Sequence, residues 1–417
     1  MPSPRPTPDP AAILARARSL RKFTVDLTLR ICRERTVDYF ERDFPGGGPD
    51  GMHSPGEEGK VVRILAQELK KLRVPYKTYA KVKGRDNLLA SVGLKRRGYK
   101  KLLVLLHTDV VPSGAPSEWR FPPFEPFERK GKLYGRGVLD DKGPLAACFT
   151  TLKILKEMEA EVPGEFIFGA VADEEVGVGV GLDFLIKKKV IRCTDAIIPD
   201  IAGDMKEINV AEKGRLLVQV SARGKQAHAM EPAKGVNAIY AMAHLLAALE
   251  RHTLAHDVHE VLGGPTVNTG LIRGGVMPNA VAADCEVTLD IRYVPGQSAE
   301  GIRREILALT EHVLASGEAA GASFRVEVVQ DARPCEVRPD APIVETIRKH
   351  APEAKTTGSG GGTFAKDLVR IGIDAVGWSC GNEATYHQPN EEIEVDQLVT
   401  FSGRMANLAL DLCSMKA

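Results

Sequence analysis

Apolar and polar positions along this chain alternate in two rhythms. Residues Ala11 to Tyr39 suit helix, and Glu57 to Leu72 carries Val61, Ile64, Leu65 and Leu69 on one helical stripe that Pro75 terminates. Between them Arg42 to Gly56, with FPGGGPDGMHSPG, has loop chemistry. Short apolar runs at Asn87 to Val92, Lys101 to Leu106, Glu165 to Ala172 and Ala196 to Pro199 read as strands. A proline- and aromatic-rich loop fills Val111 to Lys132. A helix opens at Pro144, with Leu145, Phe149, Leu152 and Leu155 at helical spacing, and another spans Leu182 to Lys189. Strands alternating with helices predict an α/β fold with a largely parallel, doubly wound sheet.

The texture changes near Ala211. Strand Leu216 to Ala222, helix Val236 to His252, strands Thr266 to Ile272 and Ala282 to Tyr293, helix Ala299 to Ala315 and strand Ser323 to Val329 form an α+β pattern. From Asp331 the helix–strand pattern returns and ends in a helix from Val395. The expected organisation is a first domain formed by 1–211 and 331–417, with 212–330 inserted as a second. Residues 1–10, where prolines alternate, are expected as a disordered or extended lead-in.

Charge narrows the function. Lys plus Arg is 56 and Asp plus Glu is 55, so nothing in the balance favours nucleic acid or a membrane surface. No apolar run approaches the roughly 18 residues that span a bilayer, and charges interrupt the N-terminal apolar residues, unlike a signal peptide. The 7 cysteines are odd in number and form no C-x-x-C pair, which fits reduced thiols in a cytoplasmic protein.

Candidate chemistry gathers at strand ends. After the run Leu102 to Leu106 come His107, Thr108 and Asp109. His107 can be a metal ligand with Asp109 as its orienter, or the pair can be a buried hydrogen bond at a strand end. Asp140 with Asp141, Glu174 with Glu175, Asp200 and His387 are the other candidate ligands. A mixed imidazole and carboxylate set suits zinc first, with manganese or cobalt as alternatives. Carboxylates at Asp140, Glu175 and Asp200 bring about −3, which two divalent ions and one hydroxide neutralise. Adjacent Glu174 and Glu175 diverge on extended chain, so one can bind metal while the other takes a proton. His252, His256 and His259 lack the H-E-x-x-H pattern and read as a solvated face. Gly358 to Thr363 can offer backbone N–H groups to an anion without being a P-loop, and Gly177 to Gly181 does not match G-x-G-x-x-G. His228 and Arg292 could donate to an oxyanion and grip a carboxylate, although each alone is more often a surface residue.

In order, HTDVVP, YGRGVLDDKGP, the DEE at Asp173 to Glu175, the PD at Pro199 and Asp200, GKQAHAM, GGGTFAKD and ATYHQPNE resemble the co-catalytic metallopeptidases. That group includes carboxypeptidase G, acetylornithine deacetylase, succinyl-diaminopimelate desuccinylase, aminoacylases and Xaa-His-type dipeptidases. The likeness runs from about Arg16 to the end. It implies two divalent ions, one held by His107 and Asp200, the other by Glu175 and His387, with Asp140 bridging and an Asp140–Asp141 cis bond. Asp109 would orient His107, and Glu174 would be the general base. It also implies that the inserted domain is a lid that forms a homodimer, with His228 reaching the partner's site, and that Arg292, Asn279, Gly361 and Gly362 hold a substrate carboxylate. The GGGTFAK loop, DDKGP and HQPNE look closest to the dipeptidase branch, whereas the lid is of the short dimeric kind. The expected activity is therefore two-metal hydrolysis of a dipeptide or short peptide with a free carboxylate. N-acyl-amino-acid deacylation is the alternative within that chemistry, and a non-catalytic binding protein on the same fold is the alternative outside it.

Overall fold

A computed structural model describes residues 8–39, 56–158 and 162–417. The expected loop at 42–56 lies outside them except for Gly56, as does the N-terminal lead-in up to residue 7. The chain forms two compact units. One contains the residues up to Val210 with Val337–Thr357 and Thr363–Ala417; the other contains Ala211–Glu336 and Gly358–Gly362.

The first unit is built on a mixed sheet. Its strands run in the order Tyr76–Ala80, Asp86–Val92, Glu165–Val171, Lys101–His107, Asp195–Ile198, Asp374–Gly377 and Glu207–Glu212. Glu165–Val171, Lys101–His107, Asp195–Ile198 and Asp374–Gly377 are mutually parallel. Antiparallel strands extend this parallel centre at both edges. The uninterrupted apolar run Leu102–Leu106 belongs at the centre because both its faces are covered. Leu103 and Leu105 pack with Leu182, Leu185, Phe364 and Leu368. On strand Glu165–Val171, Phe168 is paired in register with Val104 and meets Phe149 of helix Lys142–Glu157 edge to face at 5.5 Å.

Two expectations change in detail. The N-terminal helix is two helices, Pro10–Ser19 and Arg21–Cys32, the first capped by Asp9. It does not continue to Tyr39, because Thr36 Oγ1 donates to Thr108 O at 2.5 Å and Val37 bridges to Val110. Tertiary pairing there overrides helix propensity. The proline- and aromatic-rich loop is also not loop throughout, since Phe127–Arg129 pairs with Lys132–Tyr134. Among the described residues no helix is long and apolar enough to cross a membrane.

The second unit is a four-stranded antiparallel sheet in the order Thr266–Gly274, Asp284–Tyr293, Gly214–Arg223, Ser323–Ala332. Its helices Ala238–Glu250 and Ala299–Ala315 are capped by Asn237 and Ser298. Strict alternation buries Leu216, Val218, Val220 and Ala222 against Met242, Leu245, Ile302 and Ile306. One edge, Thr266–Gly274, is exposed along almost its whole length.

Candidate active site

Parallel strands deliver their carboxyl ends to one edge of the sheet, the usual place for a ligand in this architecture. His107 ends its strand in register with Val171, so the turn Asp173–Glu175 emerges beside it. Asp200 follows the neighbouring strand Asp195–Ile198. The loop after Asp374–Gly377 adds His387.

These side chains converge. His107 Nε2 lies 3.0 Å from Asp140 Oδ1 and 3.8 Å from Asp200 Oδ1. His387 Nε2 lies 2.9 Å from Asp140 Oδ2 and 3.4 Å from Glu175 Oε2. Each oxygen of Asp140 therefore faces a different imidazole. Potential ligand atoms of His107, Asp140 and Glu175 lie within 4.8 Å of one another, and so do those of His107, Glu174 and Asp200. Asp109 acts on His107 by an unforeseen route. Its own carbonyl oxygen is 3.0 Å from His107 Nδ1, and its carboxylate is 3.6 Å away. The carboxylate's other oxygen accepts from Glu175 N–H at 3.0 Å, tying two strand ends together.

Local backbone chemistry holds the loops. The Asp140–Asp141 peptide is cis. Asp173, at φ 69°, accepts from Val178 and Val180 N–H at 2.8 Å each and so closes the turn that carries Glu174 and Glu175. Gly181 completes that turn: a Cβ there would lie 1.8 Å from Ala172 O. His387, at φ 56°, occupies a left-handed conformation that non-glycine residues seldom adopt and that clusters at functional sites.

Electrostatics set the character of the cluster. Burial favours neutral His107, but Asp109, Asp140 and Asp200 outweigh it and hold its pKa well above the usual value. Contact with Asp140 and Glu175 lifts His387 to about 10. Burial also pushes Glu175 up to about 7, and burial together with Asp200 raises Glu174 well above an ordinary carboxyl. Asp140 goes the other way: burial would raise it, but the two imidazoles hold it down. Buried Asp109 Oδ1, Asp141 Oδ1 and Glu175 Oε1 have no hydrogen-bond partner among the described residues. So many crowded carboxylates, some with orphaned oxygens, fit divalent cations, which would neutralise them and take up their free lone pairs.

Other predicted residues lie in the second unit. His228 bridges to Ala280, and Ala229 N–H donates to Asn279 O at 3.1 Å, so His228 and Asn279 are neighbours. Arg292 donates to Asp290 at 2.8 Å and to Gly360 O at 3.0 Å, which places it at the glycine loop with Gly361 and Gly362. Gly361 N–H donates to Ser359 Oγ. His252, His256 and His259 are engaged separately, by Glu305, by Leu254 O and by the Val261 and Leu262 N–H groups.

Sequence reasoning missed several buried charges around the site. Asp38, Glu58 and Asp109 form a third carboxylate cluster. Arg85 enters it, with Nε and Nη2 on Glu58 at 2.6–2.9 Å and Nη2 on Asp38 at 2.5 Å, so a guanidinium holds the place a cation would take. Glu391 and Arg136 form another buried pair at 2.8 Å. Arg136 stands between glycines in YGRG and Glu391 closes HQPNE, but neither motif tells that the two pair.

Known proteins resemble this chain in sequence and fold. The model of peptidase family M20/M25/M40 matches residues 103–411. Acetylornithine deacetylase of Myxococcus xanthus is 29% identical over 333 residues, 78% of this chain and 84% of that protein. N-formyl-4-amino-5-aminomethyl-2-methylpyrimidine deformylase of Halalkalibacterium halodurans is 28% identical over 358 residues, 78% of this chain and 82% of that protein. A tripeptidase from Staphylococcus aureus shares the fold with a TM-score of 0.70 at 21% identity, covering 95% of this chain and 99% of its own.

Proposed function

The chain belongs to peptidase family M20/M25/M40, and from that premise we propose that it uses two divalent ions to hydrolyse the amide bond of a small amino-acid derivative bearing a free carboxylate. The observation that carries the reading is the placing of Asp140 between His107 and His387, with Glu174, Glu175 and Asp200 around them. His107 and Asp200 would hold one ion and Glu175 and His387 the other, with Asp140 placed between the two imidazoles. Zinc suits this donor set, with manganese and cobalt as substitutes. When bound, such ions supply Lewis acidity and an acidified water.

The chain's own residues move the proton. Glu174 accepts it from the attacking water and returns it to the leaving nitrogen, so that water and amide become carboxylate and amine. Burial, with Asp200 nearby, raises the pKa of Glu174 well above an ordinary carboxyl, which strengthens it as a proton acceptor. Arg292, Asn279, Gly361 and Gly362 are proposed to bind the substrate carboxylate, and His228 to donate to the scissile carbonyl.

Deacylation of an N-acyl amino acid is the first reading of substrate, because the sequence relatives include an acetylornithine deacetylase; the deformylase shares removal of an acyl group but acts on a pyrimidine by its name. The dipeptide reading rests on GGGTFAK, DDKGP and HQPNE. A hydrolysis panel of acetyl-, formyl- and succinyl-amino acids against dipeptides, each with zinc, manganese and cobalt, separates them. The expected result is kcat/KM at least about tenfold higher for an acyl-amino acid than for any dipeptide, equivalent to about 1.4 kcal/mol of transition-state discrimination. Dipeptides turning over faster would reverse the order. No turnover on either class by ion-loaded protein would leave a binding protein on this fold.

The second unit is proposed to dimerise. On its edge strand Leu271 and Ile272 are 58% and 55% exposed, and Val276 and Met277 extend the apolar surface. An exposed apolar strand edge is a template for pairing. Leu271→Asp with Ile272→Lys should convert a dimer to a monomer by light scattering while circular dichroism stays unchanged. A wild-type chain that already runs as a monomer at micromolar concentration would remove the proposal. In such a dimer, His228→Ala chains mixed with Glu174→Gln chains should recover activity if His228 serves its partner.

A further inference from the structure

HQPNE ends in two residues to which the proposed chemistry gives no role, and both are engaged as clamps. Glu391 is fully buried. Its Oε1 accepts from Leu139 N–H at 2.7 Å and Asp140 N–H at 3.1 Å. Its Oε2 accepts from Gly137 N–H at 3.0 Å and from Arg136 Nη1 at 2.8 Å. A carboxylate offers about four lone-pair sites, and all four are used here. Arg136, 1% exposed, is itself fixed: its guanidinium lies 5.2 Å from the Trp119 ring, and Nη2 reaches Pro112 O at 3.4 Å. Asn390, at φ 65°, accepts from Arg120 N–H at 2.8 Å and donates to Glu118 O at 3.0 Å.

The consequence is geometric. Asp140 and His387 sit on loops far apart in sequence, yet their side chains must keep a fixed separation to share an ion pair. Glu391 is four residues after His387 and bonds the backbone N–H of Asp140 itself. We infer that Glu391, locked by Arg136, is a positioning residue that sets the Asp140 loop against the His387 loop, with Asn390 anchoring the other side of the same turn. This rests on the reading that Asp140 and His387 both serve the ions.

Glu391→Gln tests it, because whichever way the amide turns, its NH2 faces an N–H donor and at least one clamp bond is lost. Zinc affinity is measured by competition with a chromophoric chelator, and cobalt loading by its visible spectrum, alongside the thermal midpoint. The weaker of the two zinc affinities should fall by about tenfold or more, the range seen when partners of metal-bound groups are removed, and the cobalt spectrum should change. The control is Asp195→Asn, which breaks the buried pair with Lys100 (2.8 Å) at the start of its strand. It should lower the midpoint and leave both affinities near wild type. If Glu391→Gln does not fold, Glu391→Asp keeps the charge for Arg136 but not the reach, and the same loss is expected. Wild-type zinc affinities in either Glu391 variant, or an equal loss in Asp195→Asn, would overturn the inference. A wild-type chain that takes up no ion would overturn the reading beneath it, and this inference with it.

Discussion

Replacing Glu174 with Gln should lower kcat by about 100- to 10,000-fold, the range that a positioned acid–base group contributes, while the chain still takes up its full complement of ions. Gln keeps the shape and one oxygen but cannot hold a proton at neutral pH. Glu174 suits the shuttle because burial and Asp200 raise its pKa well above an ordinary carboxyl. Glu175 is distinguished by its contact with His387 at 3.4 Å and its buried, unpartnered Oε1. Glu175→Gln should therefore lose an ion, with activity following ion content. Ion content and kcat measured on both variants decide the assignment. Loss of an ion from Glu174→Gln with retention by Glu175→Gln would mean that the two roles are exchanged, and near wild-type kcat in Glu174→Gln would remove it as the base.

How much of this could be read before the structure depends on the range of the signal. His107 was legible because Leu102–Leu106 is an unbroken apolar run, and such a run ends at the sheet edge where ligands bind. Glu174 and Asp200 followed by the same rule. Strands without such a run escaped: Tyr76–Ala80 is an exposed edge of polar and aromatic residues, and Asp374–Gly377 is only four residues long. The end of the second helix at Cys32 was hidden because its cause, Thr36 on Thr108 O, lies 72 positions away. The clamps were hidden likewise. Nothing near Glu391 in sequence announces that its acceptors face the N–H groups of Gly137, Leu139 and Asp140, because that contact is made by tertiary packing. Asp109 shows the finer limit. Spacing along a strand placed it correctly beside His107, yet the hydrogen bond at 3.0 Å comes from its carbonyl oxygen, which no side-chain pattern encodes.

Stripping the ions should destabilise the first unit, and by more at high pH than at low. In the ion-free protein His387 lies between Asp140 and Glu175 with its pKa raised from 6.5 to about 10. Its imidazolium therefore contributes stability that is fully present below about pH 6.5 and lost as pH rises through 10. Burial raises Glu175 from 4.5 to about 7, so its protonated form contributes below about pH 4.5 and is lost as pH rises through 7. Rising pH leaves the empty cluster with more uncompensated negative charge. The same deprotonations prepare both groups as ligands, since ions need neutral imidazole and ionised carboxylate. Both effects have the same sign. At pH 8.5, ions at a thousandfold excess over Kd should add about 4 kcal/mol for each ion bound, about 8 for two, and raise the unfolding midpoint by roughly 10–20 °C. At pH 5.5 protons compete, and each proton displaced on binding lowers the apparent affinity by about tenfold per pH unit below the group's pKa. Calorimetry with and without a chelator at the two pH values checks this, and titration in buffers of different ionisation enthalpy counts the protons released. An ion-dependent increment that is the same at both pH values, or larger at pH 5.5, would mean that His387 and Glu175 do not exchange protons for ions.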